Sequence, residues 1–367
     1  MTDTRVSFRR WTAVLTAILV WLPASADAGP RRAKLSKDVA LHLASGSSAS
    51  IRVIVDGTAE EIQTIAARYG ARVKKALKGG AVLEVTGGQL DAISQDPDVH
   101  HISGDVKVHR MMAVAAQSTG ADQVWAGSST VPGFTGRGIG VAVIDSGVAA
   151  HEALRGRVVA SLDFTGGRDG LDQYGHGTHV ASIIAGNADS GYPGIAPDAH
   201  IVSLRVLGDD GSGQTSDVID AVNYAVDNRA RFNIRVINLS LGHPVLESYR
   251  DDPLCGAVER AVKAGIVVVA SAGNLGKTED GRPIVGGIVS PGNTPGALTV
   301  GALNAKGTPQ RSDDVMATYS SRGPTAIDGV LKPEIAAPGN KIAAAAPPAA
   351  YLTKTYPDRI VSGSGAK

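Results

Sequence analysis

Residues 138–147 read GIGVAVIDSG, an unbroken apolar run from Val141 to Ile144 that ends on an acid, Asp145, and a Ser146-Gly147 turn. A strand with one wet face alternates polar and apolar residues, whereas a run without alternation belongs to a strand covered on both faces of a parallel sheet. The same signature recurs downstream in AHIVSLRVLG (199–208), IRVINLSLG (234–242) and IVVVASAGN (266–274). Between these runs lie helix-period segments, GHGTHVASIIAGN (175–187), TSDVIDAVNYAVDNRA (215–230) and CGAVERAVKAG (255–265). The alternation predicts an α/β domain over residues 111–367, with a parallel sheet and helices on both faces. Sites in such folds sit where strands end at their carboxyl edge, and Asp145 is such an end.

Working outward to the N-terminus, residues 50–109 have their own rhythm. IRVIVDG, ARVKKAL, AVLEVTG and HHISGDVKV read as strands, and AEEIQTIAARYG and GQLDAISQDPDV as amphipathic helices. The order βαββαβ describes a compact ferredoxin-like unit, preceded by a short polar stretch. Many small domains share that order, and an unrelated N-terminal domain would satisfy it equally. Before it, Arg5, Arg9 and Arg10 lead into WTAVLTAILVWL, and ASADA follows with small residues at A-x-A spacing. That pattern predicts a secretory signal over residues 1–28, cut after Ala28 or Ala26. The apolar run is shorter than the ~20 residues of a spanning anchor. The expected location is therefore outside a bacterial cell, with no membrane association after cleavage.

Composition narrows the class. A formal net charge of +1 and no run of Lys or Arg exclude an electrostatic nucleic-acid surface. Cys255 is the single cysteine of the 367 residues, so no disulfide forms within the chain. Its helical context predicts a buried cysteine packed as an apolar side chain.

Two residues carry the expected chemistry. Asp145 leaves a buried strand and needs a partner, because an unpaired charge there is costly. His176, in YGHGTHV (174–180), stands where a glycine-bounded loop becomes a helix. A carboxylate holding one ring nitrogen leaves the other as a general base. Taken singly, a capping Asp and a structural His are the plain alternatives. His179 follows one turn later, but zinc helices space histidines four apart around a Glu, so a packing role fits it better. Asn274, at the end of IVVVASAGN, could donate to a developing oxyanion or simply make a turn. Ser240, Leu241 and Gly242, with Gly211 and Gly213 in GDDGSGQTS (208–216), offer backbone for pairing with an extended peptide.

The blocks VAVIDSGV, HGTHVASIIAG, INLSLG, SAGN and YSSRGPT…KPEIAAPG resemble, in order, the signatures of the subtilisin-like serine proteases. The resemblance covers Val124 to Gly339. It implies Asp145 and His176 as members of an Asp-His-Ser triad, Asn274 as oxyanion donor, and Ser240–Gly242 and Gly211–Gly213 as opposite edges of a substrate cleft. The 50–109 unit is similar to the family's inhibitory propeptide, which would make the protein a zymogen released by cleavage near His109–Met112. His100 and His101 would give that release a pH trigger, or be two solvated histidines and nothing more. Protein or peptide substrates and a monomer are expected. No cofactor is required; a structural Ca²⁺ is compatible with the family, although no oxygen-rich loop has convincing ligand spacing.

The family's nucleophile block reads G-T-S-M-A, and RIVSGSGAK (359–367) resembles only its first letters. Aligning Gly363 with the block's glycine puts Gly365 at the nucleophile's position, with no side chain. One expectation is that the block lies beyond Lys367. The other is a non-catalytic, peptide-binding relative that has lost the nucleophile. The helix that follows the serine in the family would bury about six apolar side chains, on the order of 12 kcal/mol at ~2 kcal/mol each, which favours the first.

Overall fold

The computed structural model describes residues 32–361 except 78, 106–110 and 168. The signal segment, the final SGSGAK and part of the expected release region lie outside these residues. The chain divides into two compact units, Met1–Val108 and His109–Lys367.

The first unit contains β1 (Lys34–Leu35), α1 (Lys37–Ala44), β2 (Ile51–Asp56), α2 (Ala59–Tyr69), β3 (Arg72–Leu77), β4 (Gly80–Val85), α3 (Gly87–Ser94) and β5 (His101–Gly104). Its sheet runs β1-β5-β2-β4-β3. The inner order β5-β2-β4-β3 is the split βαβ topology that the βαββαβ reading implies. α2 and α3 start at reciprocal caps, Thr58 with Glu61 and Thr86 with Gln89. Ile62, Ile65, Leu90 and Ile93 from the helices bury against Val53, Val55, Leu83, Val85 and Ile102 of the sheet. The residues before Ser50, read above as a short polar stretch, are structured: β1 pairs in parallel with β5, and Val39 of α1 is fully buried. Their signal is weak because β1 has two residues and Ser36 makes no side-chain cap bond to α1.

The second unit contains α4 (Met111–Thr119), α5 (Ala121–Ala126), β6 (Gly140–Asp145), β7 (Val158–Asp163), α6 (His176–Ala185), β8 (His200–Arg205), α7 (Thr215–Asp227), β9 (Ile234–Leu239), α8 (Pro253–Lys263), β10 (Val267–Ser271), β11 (Leu298–Asn304), β12 (Val315–Met316), β13 (Ile335–Pro338) and α9 (Tyr351–Thr355). The sheet order is β12-β11-β10-β9-β6-β8-β7, with β13 also pairing β11, and among the described strands of this sheet only β12 runs antiparallel. β6 is buried along its whole length. Val141 and Val143 face Ala181 and Ala185 of α6, while Ala142 and Ile144 face the other core with α7 and α8. The helices therefore cover both faces, as the unbroken apolar run requires. Parallel pairing keeps the strand ends in step, with Asp145 opposite Arg205 on β8 and Ile144 opposite Leu239 on β9. Every loop that carries an expected site residue leaves from this one edge, and this edge places the site.

Candidate active site

α6 opens at His176 without a cap of its own, since its N-cap is Gly175 at φ 106°, a conformation glycine adopts readily. Gly177 matters for space: a Cβ there would sit 2.1 Å from the Gly147 carbonyl oxygen. The helix start thus rides directly on the turn that follows Asp145. At that contact His176 Nδ1–H donates to Asp145 Oδ1 at 2.7 Å, and Ser146 N–H donates to the same oxygen at 2.8 Å. Asp145 is wholly buried, whereas the imidazole side chain is 37% exposed. Donation through Nδ1 leaves Nε2 as the atom able to take a proton. Burial alone would push the imidazole pKa down; the bond and charge of Asp145, helped by the charge of Asp172, outweigh it and hold the pKa above the ordinary histidine value.

A second carboxylate lies behind the pair. Asp172, buried, accepts from Ser146 Oγ (2.8 Å) and Gly175 N (2.6 Å) through Oδ1. Its Oδ2 accepts from Thr178 N (2.8 Å) and Thr178 Oγ1 (2.6 Å). Ser146 Oγ in turn accepts from Gly177 N at 2.9 Å. The sequence reading passed over Asp172; its signal was an acid placed just before the helix start at His176, the position of a remote cap. His179 makes a contact of 3.2 Å from Nε2 to the Ile342 carbonyl oxygen, and burial holds its pKa down.

Beside the imidazole, Tyr174 stacks on Tyr351 with ring centres 5.8 Å apart. Tyr351 N and Leu352 N donate to the carbonyl oxygens of Gln173 and Tyr174, so the start of α9 is tied to the loop that carries His176. On the β8 side, Gly211 lies against Tyr174: a Cβ at Gly211 would be 2.4 Å from the ring. Gly213 follows two residues on, exposed. On the opposite side, Ser240, Leu241 and Gly242 continue from the end of β9, and the chain then bridges to Ser290 through His243. Asn274 is exposed just beyond β10. It follows β10, which β9 separates from β6 and Asp145. The sheet order thus brings all the expected residues to one edge, and among them Asp145 and His176 are the pair joined side chain to side chain by a hydrogen bond.

Cys255 is buried as expected, but its neighbours are polar: Asp252 Oδ2 at 3.4 Å, Asn293 Oδ1 at 3.3 Å and Ser290 Oγ at 3.6 Å. Among the described residues no group of three or more His, Cys, Asp or Glu side chains is placed to hold a metal ion, and no helix is long and apolar enough to cross a membrane.

An imidazole held by an acid through one ring nitrogen, with the other able to take a proton, has the chemistry of a general base. The family description "Subtilase family" matches residues 136–361. Serine protease AprX of Bacillus subtilis (strain 168) is 35% identical over 281 residues, covering 74% of this chain and 61% of its own. Subtilisin E of the same strain is 33% identical over 306 residues, covering 79% of this chain and 72% of its own. The solved structure named Sphericase aligns at 33% identity and a TM-score of 0.49, over 62% of this chain and 74% of that one. The chain thus spans about three fifths of the length of AprX.

Proposed function

This chain belongs to the subtilase family, and from that premise we propose that it works as a secreted serine endopeptidase made as a zymogen. His176 Nε2 takes the proton of a serine outside residues 32–361 as that serine attacks the scissile carbonyl. It then returns the proton to the leaving amine. Asp145 fixes the imidazole tautomer and stabilises the cation that forms. Asn274 and a backbone N–H hold the oxyanion. Ser240–Gly242 and Gly211–Gly213 pair with the substrate backbone on either side. The observation that carries this reading is the 2.7 Å bond between Asp145 and His176 at the carboxyl edge of a parallel sheet.

The test is expression of the reading frame continued past Lys367 to a G-T-S-M-A block. Expected is stoichiometric labelling of that serine by a fluorophosphonate, abolished by His176→Ala, and none in residues 1–367 alone. Labelling that survives His176→Ala refutes the pair; labelling of Ser364 moves the nucleophile into this chain. The first unit acts on this reading as an intramolecular inhibitor. It has its own core, so residues 32–108 added separately at micromolar concentration should block that labelling.

A further inference from the structure

Asp172 is not needed to make an acid–base pair, yet it is the most heavily bonded side chain around one. A carboxylate that merely caps a helix needs one or two N–H groups. Asp172 takes two, from Gly175 and Thr178, and two hydroxyls besides, from Ser146 and Thr178. Each partner is placed with purpose. Gly175 and Gly177 flank His176, and Gly177 is reached through Ser146 Oγ. Ser146 is the residue next to Asp145, and Thr178 Oγ1 also accepts from Ala149 N at 2.9 Å, further along the same strand-end turn. The turn that carries the acid and the helix start that carries the base are therefore tied to one buried group. Asp145 itself holds the ring by a single contact, and its Oδ2 is buried with no hydrogen-bond partner.

We infer that Asp172 is the positioning residue of the catalytic pair, the group that sets the distance from Asp145 to the His176 ring. The inference rests on reading Asp145 and His176 as that pair. Asp172 touches neither substrate nor imidazole. It acts by fixing the backbone on both sides of the ring and the turn beneath it. Replacing one of its oxygens with an amide sets an N–H against Gly175 N–H or Thr178 N–H, so the isosteric Asp172→Asn change breaks the clamp with little change of volume.

The experiment is nitrogen-15 NMR of residues 1–367, which needs no nucleophile. In the parent the His176 Nδ1–H gives a far-downfield proton that exchanges slowly. Asp172→Asn should broaden or lose that signal and move the His176 titration downward, with the far-UV circular dichroism and the His200 resonances unchanged. The charged and titratable groups acting on the ring are Asp145, Asp172 and His179, so the titration is also followed in His179→Gln to remove one of them. Ser146→Ala, which keeps the carboxylate and cuts its link to the Asp145 turn, should shift the signal in the same direction and serves where Asp172→Asn does not fold. In the nucleophile-bearing chain, Asp172→Asn should lower kcat roughly 10- to 100-fold with KM little changed. A folded Asp172→Asn or Ser146→Ala protein with the downfield proton and titration of the parent overturns the inference. Asp145→Asn is the control: if it too leaves the proton in place, the pair itself is refuted, not only the role of Asp172.

Discussion

His176 Nδ1 lies 2.7 Å from Asp145 Oδ1, although 31 residues separate the two in the chain. The contact arises because a parallel strand ends in an acid and the next helix begins in a histidine, with a glycine on each side of the ring.

Asp145→Asn keeps the shape of the acid and removes its charge. The amide stabilises the wrong imidazole tautomer. Steady-state kinetics of the nucleophile-bearing chain should show kcat lower by roughly 10⁴-fold, the size expected when an Asp-His-Ser triad loses the acid's charge through an Asp→Asn change. KM should stay near the parent value.

The pH dependence has a definite sign. The fold raises the His176 pKa, and catalysis needs the neutral ring. The acidic limb of kcat/KM should therefore have its midpoint above the ordinary imidazole value. The same shift means that the protonated ring stabilises the fold. That contribution is full below the unfolded histidine pKa and is lost as pH rises through the raised value. A limb at or below pH ~6.5 would contradict this.

Asp252 caps α8 through Leu254 N and Cys255 N and accepts from Ser290 Oγ at 2.6 Å. Burial alone would raise its pKa, but the Ser290, Cys255 and backbone bonds outweigh burial and lower it. Its stabilisation is present above the ordinary carboxylate pKa and disappears as pH falls through the lowered one. Urea unfolding at pH 7 should show Asp252→Ala less stable by about 1–3 kcal/mol, with the deficit shrinking in acid.

Cys255 has its thiol pKa pushed up to about 11, chiefly by burial. At pH 8 the native protein should not react with Ellman's reagent over hours. One thiol per chain should appear within seconds in 6 M guanidinium. Rapid native reaction would mean that α8 opens.

Much of this was legible in the text, and the exceptions share a cause. β6, β8, β9 and β10 announce themselves because strands covered on both faces need unbroken Val/Ile runs. β7 does not, since as an edge strand it alternates half-buried and exposed residues in VVASLD. β12 and β13 are two and four residues long, too short for any period to register. Asp145 and His176 were visible because each breaks a local rule, an acid ending an apolar strand and a ring between two glycines. Asp172 breaks none. Its place just before the helix start marks it as no more than a cap, and the other two of its four bonds, from the Ser146 and Thr178 hydroxyls, are made in space. The stacking of Tyr174 on Tyr351 was hidden for the same reason, with most of the second unit lying between the two in the chain.

The place of β6 between β8 and β9 has an evolutionary consequence. On the proposed function, the two banks of the substrate groove belong to different neighbours: the glycines at 211 and 213 hang from β8, while residues 240–242 and 274 hang from β9 and β10. Either bank can be lengthened, shortened or rewritten to suit a new diet without disturbing the strand that seats the acid. Chimaeras that exchange one bank at a time should therefore change taste while leaving the machinery intact.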